Sequence, residues 1–157
     1  MLLDEYEHAR EQVGRVSRRL DELMGADRHR EAVGNLRTVP GVGPVTAMTF
    51  RTELLAPERF ADGGQVARMV GLAPQILQSG GTRREGRLLK SGNARLRTVL
   101  VEAAWRWVAG DEVAKARYRR LVASTGSGKK AIVGMARRLA ILLWRLSLSG
   151  EAYRAAA

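Results

Sequence analysis

The sequence of 157 residues contains no cysteine, so disulfide bonds, thiolate zinc sites and cysteine nucleophiles are excluded. Histidine is almost as scarce. The only two, His8 and His29, lie in the polar N-terminal region, which argues against a histidine-based metal site. No stretch of about 18 uncharged apolar residues is present, and the N-terminus carries acids in place of a signal-peptide pattern. These absences predict a cytoplasmic protein.

Acidic residues are the minority charge, with 16 Asp and Glu against 27 Lys and Arg and a formal net charge of +11. Such an excess indicates a polyanionic partner, most commonly nucleic acid, although a ribosomal-type basic protein would show the same balance. The chain is long enough for one domain with a real core, or for a small domain with an appendage.

The basic charge is concentrated between Ser79 and Arg97, where six basic residues accompany a single acid, Glu85. This segment has too few apolar side chains to form core. Its glycine amides, hydroxyls and guanidinium groups are those that bind a phosphate backbone. We therefore predict that it contacts nucleic acid through Gly80, Gly81, Arg83, Arg84, Arg87, Lys90, Ser91, Asn93, Arg95 and Arg97. Later in the chain, Lys129 and Lys130 follow a flexible Ser-Thr-Gly-Ser-Gly loop and are further candidate phosphate contacts.

Near the N-terminus, apolar residues recur with alternating spacings of four and three, as in the a/d seam of a coiled coil. They are Leu2, Tyr6, Ala9, Val13, Val16, Leu20 and Leu23. The pattern predicts a helix that pairs with a partner chain or another helix, or else an amphipathic helix folded back on its own domain. The stretch from Met24 to Asp27 is its expected break.

Residues Leu36 to Ala47 have a helix-hairpin-helix pattern, in which an apolar helix end is followed by Pro-Gly-Val-Gly and by a helix that opens at Pro44. Glycines permit the tight turn, and free amides at the start of the second helix can bind a phosphate. Gly41, Val42 and Gly43 are therefore candidate nucleic-acid contacts. A plain tight turn between two core helices is the alternative.

Helical periodicity continues to the C-terminal end. A short helix is expected around Val66 to Val70, and longer ones over residues 96–108, 113–122 and 131–148. The three tryptophans are expected in core or rim packing and not as base-stacking platforms. The predicted fold is mainly α, with any β structure confined to a hairpin in the basic segment.

Three blocks in this order resemble a known family: residues 36–47, then Val-Gly-Leu-Ala-Pro at 70–74 leading to Ser79-Gly80, then residues 86–97. Together they resemble the C-terminal transposase domain of the DEDD-type insertion-sequence transposases of the IS110 and IS1111 groups. The resemblance covers about residues 32 to 150. It implies a coiled-coil-like helix over 1–31, a DNA-binding domain that carries the serine nucleophile over 32–150, and a tail over 151–157.

Members of that family recombine DNA under the guidance of a structured RNA. An N-terminal RuvC-like domain binds magnesium through four acids, and the C-terminal domain supplies a serine nucleophile. By resemblance that serine is Ser79, with Ser91 as a competing candidate that could instead cap the helix beginning near Asn93. Arg83, Arg84 and Arg87 would stabilise the phosphate.

The RuvC-like domain has no counterpart in these residues, so the chain is expected to resemble a truncated or split copy that binds nucleic acid but does not cut it alone. No cofactor is expected in this chain, and magnesium would be bound only by a RuvC-like domain supplied in trans. The expected partners are DNA, a guide RNA, and a second copy or a full-length transposase contacted through the N-terminal helix, in the bacterial cytoplasm. A non-enzymatic helix-hairpin-helix module that regulates transposase, and a structural RNA-binding protein, are the alternatives.

Overall fold

Helices dominate the computed structural model, which describes residues 1–79, 82–88 and 91–155, with 75–79 and 82–88 described as backbone alone. Within those ranges a 3-10 helix spans Pro57–Arg59, and an antiparallel pair of strands interrupts the helices. The strands are β1 (Pro74–Ser79) and β2 (Thr82–Leu88). The helices are α1 (Leu2–Gly25), α2 (Asp27–Arg37), α3 (Pro44–Leu54), α4 (Gly63–Val70), α5 (Ala94–Gly110), α6 (Glu112–Thr125) and α7 (Gly128–Ser149). The mainly α prediction is confirmed, but the described strands are not confined to the basic segment: β2 lies within it, whereas β1 precedes it and shares only Ser79 with it. No helix of this described part is long and apolar enough to cross a membrane.

Helix α1 ends at Gly25, where Ala26 adopts an extended conformation and α2 begins at the next residue. The predicted break between Met24 and Asp27 is therefore confirmed. Leu20, Leu23 and Met24 pack against the core of the molecule. Earlier seam residues are exposed, with relative accessibilities of 62% for Tyr6 and 66% for Val13. Only the last turns of α1 thus contact the helical body. Helix α2, which belongs to that body, already begins at Asp27, five residues before residue 32.

The core forms around α5 and α7, whose apolar faces follow the helical periodicity of the sequence. Fully buried side chains from these helices include Leu96, Leu100, Met135, Leu139 and Leu143, and α3 adds Phe50. Burying a side chain of this size stabilises the fold by about 1.5–3 kcal/mol. The other helices of the body therefore pack against α5, α7 or both.

The tryptophans pack as predicted. Trp107 and Trp144 are buried, and the indole N–H of Trp144 donates to the carbonyl oxygen of Pro57 at 2.9 Å. Trp105 is 46% exposed and meets Tyr118 edge to face, with 5.9 Å between ring centroids. Two of the three are therefore core residues and the third lies at the rim.

The segment after α7, which includes the first residues of the predicted tail over 151–157, folds back over the start of the domain. The Asn35 side-chain amide donates to the carbonyl of Gly150, and the Tyr153 backbone N–H donates to Oγ1 of Thr38, each at 2.7 Å. The Tyr153 hydroxyl donates to Oδ2 of Asp111 at 2.7 Å. This closing segment (150–153) therefore joins α2, the start of α6 and the end of α7.

Candidate nucleic-acid interface

Strands β1 and β2 form a two-stranded antiparallel ribbon that leads into the basic segment and includes its first half. Ser79 is the last residue of β1 and pairs with Thr82, while Arg83 lies opposite Gln78 and Arg84 opposite Leu77. The pairing is irregular between Pro74 and Ile76. The predicted nucleophile position is thus at the end of a strand, within a few residues of two candidate phosphate-binding arginines. Arg87 lies further along β2, and the candidates Gly80, Gly81 and Lys90 fall outside the described residues.

The two ends of the ribbon are fastened together on the helical body. Helix α4 ends at Val70 and is capped by Gly71, whose φ of 75° gives the left-handed turn in which the Leu72 N–H donates to the Ala67 carbonyl at 2.8 Å. On the return side, the Asn93 N–H donates to the carbonyl of Met69 at 2.9 Å. Gly92 has φ +155°, and a Cβ there would lie 2.5 Å from the Gly71 nitrogen. The ribbon therefore leaves and re-enters the body at a single closed joint.

Asn93 has a structural role at this joint. Its side-chain oxygen accepts from the Leu96 N–H at 3.0 Å and so caps α5, and its amide nitrogen donates to Oε2 of Glu53 at 2.6 Å. The cap of this helix is therefore Asn93 and not Ser91, which is exposed. The alternative role considered for Ser91, capping the helix that begins near Asn93, is therefore filled by Asn93 itself.

The arginines at the start of α5 differ in their surroundings. Arg95 is 80% exposed and its guanidinium lies 4.0 Å from Oε1 of Glu53. Arg97 is half-buried, and its Nη1 has no hydrogen-bond partner among the described residues. Sequence reasoning missed Glu53, an acid on α3 that neutralises part of this basic region. Since Glu53 lies 40 positions before Asn93, no local pattern pointed to it.

The Pro-Gly-Val-Gly turn is a tight connection between α2 and α3. The Val42 N–H donates to the Val39 carbonyl at 3.0 Å, and Gly41 has φ +84°, the arrangement favoured by Pro-Gly at the centre of a type II turn. Val42 is buried. Its amide and side chain are therefore both used inside the protein, whereas Gly43 is the N-cap of α3 and lies at the helix end that could face a phosphate.

Gly41 also allows α5 to approach the turn closely. A Cβ at this position would lie 2.7 Å from the backbone nitrogen of Trp107 and 2.8 Å from the carbonyl oxygen of Ala103. The ribbon joins α5 at its other end, beside Asn93. At 1.5 Å per residue, the 10 to 14 positions between these contacts span about 15–21 Å. The candidate contacts therefore form two separate patches along α5.

Lys129 and Lys130 lie apart from these two patches, in the first turn of α7. Ser127 caps this helix by accepting from the Lys130 N–H at 3.4 Å, and both lysine side chains are exposed. The loop before them is short, since α6 ends at Thr125. Both ammonium groups are thus accessible to a phosphate backbone, on a helix that packs against α4, α5 and α6.

A magnesium site would need several carboxylates close together. Within residues 1–79, 82–88 and 91–155, no group of three or more His, Cys, Asp or Glu side chains could hold a metal ion. Burial and the nearby charges of Arg28 and Arg51 lower the pKa of His29, so its imidazole is neutral at pH 7.

Known proteins with similar sequences are transposases. The chain is 31% identical over 142 residues to "Putative transposase y4pF/y4sB" of Sinorhizobium fredii, an alignment that covers 87% of the chain and 37% of that protein. It is 27% identical to "Probable family 20 transposase" of Pseudomonas aeruginosa, over 98% of the chain and 45% of the relative. It is 26% identical to the transposase for insertion sequence element IS1111A of Coxiella burnetii, over 87% and 38% respectively. The chain thus spans less than half the length of these relatives.

A family profile matches a more central part of the sequence. Residues 33–119, more than half of the chain, match the family described as "Transposase IS116/IS110/IS902 family". The matched range contains the tight turn, the ribbon, its closed joint and the whole of α5. The chain therefore belongs to the IS116/IS110/IS902 family of transposases.

Proposed function

We propose that this chain is the part of a DNA transposase that holds nucleic acid and supplies a serine nucleophile, Ser79. One observation carries the proposal: Ser79 ends a strand of an arginine-bearing ribbon that is fastened to the helical body at a closed joint. The backbone pairing brings Ser79 opposite Thr82, next to the position of Arg83 on the neighbouring strand. That arrangement suits attack on a phosphodiester, because preorganised positive charge stabilises the charge that develops on phosphate oxygens.

The proposed chemistry is a transesterification. The Ser79 oxygen bonds to phosphorus, one phosphorus–oxygen bond of the strand breaks, and the serine proton leaves to water while the departing sugar oxygen gains a proton. Arg83, Arg84 and Arg87 bind the non-bridging oxygens. Magnesium belongs to the RuvC-like domain of such transposases, and the described residues provide no cluster that fits it. We expect the 157 residues alone to bind nucleic acid without cutting it.

The ribbon arginines should dominate binding. We expect the triple change Arg83→Glu, Arg84→Glu and Arg87→Glu to abolish measurable binding to a 30-base-pair duplex at moderate salt, because three phosphate contacts are lost and three repulsive charges are added. Each lost contact should also reduce the slope of log K against log salt by about 0.9. Fluorescence anisotropy across a salt series measures both quantities.

The matched control is the triple change Arg10→Glu, Arg15→Glu and Arg18→Glu, which alters the net charge equally on the exposed face of α1. It should weaken binding far less. Equal losses in the two triple variants would mean that the ribbon has no special role and that binding follows net charge alone.

Ser79 can be tested by trapping its covalent product. In a mixture with a full-length relative that carries the RuvC-like domain but has its own serine replaced by alanine, this chain should form a protein–DNA adduct on a labelled element end. Ser79→Ala should abolish the adduct while leaving DNA affinity within about twofold, whereas Ser91→Ala should retain it. Denaturing electrophoresis separates adduct from free DNA. Binding without an adduct from the unchanged chain would favour the non-enzymatic module.

The exposed apolar residues of helix α1 suit it to bind a partner helix. Its apolar seam is exposed at Leu2, Tyr6, Val13 and Val16, with relative accessibilities of 62–81%. An exposed seam with heptad spacing can pack against the same seam of another helix. We propose that a second copy, or a full-length transposase, docks here, and that the complex binds a guide RNA as well as DNA.

A further inference from the structure

A cavity of about 340 Å³ lies at the side of the helical body, between the end of α5, the first half of α6, α7 and the closing segment. Its floor is apolar and includes an aromatic ring, with Trp107, Val113, Ala114, Ile141 and Leu142 contributing. Trp107 and Ala114 are buried, so the floor is part of the packed core. This volume is within the usual range for small-molecule sites, about 300–1,000 Å³.

Four arginines surround that floor: Arg117 from α6, Arg138 and Arg145 from α7, and Arg154, which directly follows the closing segment. All four side chains are exposed, and none takes part in an ion pair formed within the described residues. No acidic residue lines the cavity. Asp111, the buried acid nearby, is already bonded to Tyr153 and to the backbone of Ala114. The rim is thus uniformly cationic.

An apolar, partly aromatic floor beneath several guanidinium groups suits a ligand that has a flat ring and phosphates beside it. Arg138 and Arg145 are seven residues apart on α7, two turns or about 10.5 Å along its axis, so they can reach the phosphates on either side of one nucleotide. A base that is stacked and paired in a duplex cannot enter a cavity, whereas an unpaired base can.

We propose that this cavity binds one unpaired nucleotide of a nucleic-acid strand, with the base on the apolar floor and its flanking phosphates on the arginine rim. The site is separate from the ribbon: Trp107 lies 14 positions after Asn93 on α5, which corresponds to about 21 Å. The inference rests on the proposed nucleic-acid-binding function and adds a second contact to it. A strand held at both places would cross the helical body along α5.

The test compares two double variants that each remove two positive charges, Arg138→Ala/Arg145→Ala at the rim and Arg119→Ala/Arg120→Ala at exposed positions of α6 outside the cavity. The probe is a 12-nucleotide single strand of thymidine. The rim variant should bind about tenfold more weakly, because two charge-assisted contacts are lost. Its salt slope should fall by about 1.4, the value for two phosphates of a single strand. The control variant should change affinity less than threefold.

Other outcomes separate the possibilities. Equal losses in both double variants would overturn the site and leave only diffuse attraction. If the unchanged chain binds strands but the rim variant binds as well as it does, the cavity inference fails while the proposed function stands. If the unchanged chain binds neither strand nor duplex, both fail. Thymidine monophosphate that binds as tightly as the strand would show a free-nucleotide site, and an equal loss on duplex would contradict an unpaired ligand.

A crosslinking measurement locates the base directly. A strand with one 4-thiothymidine, irradiated in complex with the unchanged chain, should attach to Trp107 or Tyr153, which line the cavity. Peptide mass spectrometry identifies the attached residue. Crosslinks found only within residues 74–97 would place the base at the ribbon and overturn the inference.

Discussion

Replacing Gly41 with alanine should lower the free energy of unfolding by about 2–5 kcal/mol. A non-glycine residue in a left-handed conformation costs roughly 1–2 kcal/mol, and overpacking a tight contact costs a further 1–3 kcal/mol. Gly41 has φ +84°, and the new methyl group would lie 2.7 Å from the Trp107 nitrogen. The opposing atoms are two backbone atoms of α5 and the Cβ of Arg106, none of which a side-chain rotation can move, so the clash cannot be relieved in that way. Urea unfolding followed by circular dichroism measures the loss.

Gly126 provides the matched control. It also has a positive φ, +65°, but a Cβ there would meet nothing within 4 Å. Gly126→Ala should therefore cost only the conformational part, roughly 1–2 kcal/mol. If Gly41→Ala proved no more damaging than Gly126→Ala, the close approach of the turn to α5 would not contribute to stability.

Replacing Asp111 with alanine should lower the free energy of unfolding by up to about 5 kcal/mol through two separate losses. The first is the cap of α6, where Oδ1 accepts from the Ala114 N–H at 2.8 Å; losing a cap costs about 0.5–2 kcal/mol. The second is the acceptor of the partly buried Tyr153 hydroxyl, since leaving such a donor unpaired costs up to about 3 kcal/mol. The closing segment should also loosen, which faster hydrogen exchange near Tyr153 would reveal.

A substitution at Asp62 is the control that distinguishes the loss of the helix cap from the loss of the bond to Tyr153. It caps α4 by accepting from the Gln65 N–H at 2.8 Å, but it is exposed and its side chain makes no other described hydrogen bond. Asp62→Ala should therefore cost only the cap. The double variant Asp111→Ala/Tyr153→Phe should be less destabilised than the sum of its single changes, because no orphaned hydroxyl remains. Equal effects of Asp111→Ala and Asp62→Ala would show that the Tyr153 contact adds nothing.

The same pair gives stability a pH dependence with a defined sign. Burial raises the pKa of Asp111, but hydrogen bonds from Tyr153 and from the Ala114 and Val113 amides outweigh it and leave the pKa below its ordinary value of 3.8. The contribution of the folded carboxylate is therefore present above pH 3.8 and is lost as the pH falls through the lowered pKa. Burial and the bond to Asp111 raise the pKa of Tyr153 above 10.0, so its contribution persists up to that pH and is lost above it. Asp111→Ala should remove the acid-side change.

Local sequence patterns predicted the helices well, because each one carries its own periodicity, cap or breaker. The break after Met24, the turn at Pro40-Gly41 and the apolar faces of α5 and α7 all follow from residues within one or two turns of each other. The second strand lies in the predicted segment, whereas the first begins five residues before it. Family membership followed from the order of three short blocks, since the ordered combination is more specific than any block alone.

The contacts between distant residues could not be predicted in this way. Glu53 meets Asn93 across 40 positions, and Tyr153 meets Asp111 across 42. The arginine-rimmed cavity combines three helices and the closing segment, and its arginines look like ordinary solvent-exposed charges when each helix is considered alone. Gly41 was predicted as a turn residue, but its close contact with α5 depends on a helix that begins more than 50 residues later.

The closed joint at the base of the ribbon has a consequence for how such proteins can diversify. Gly71 and Gly92 lie side by side and the Asn93 N–H donates to the Met69 carbonyl, so the helical body is closed beneath the ribbon. We therefore expect the segment between residues 74 and 90 to tolerate changes in length and sequence as long as this joint is kept. The segment could therefore be exchanged between relatives. Replacing residues 74–90 of this chain with the corresponding segment of a relative should transfer the relative's nucleic-acid preference, while the melting temperature stays the same.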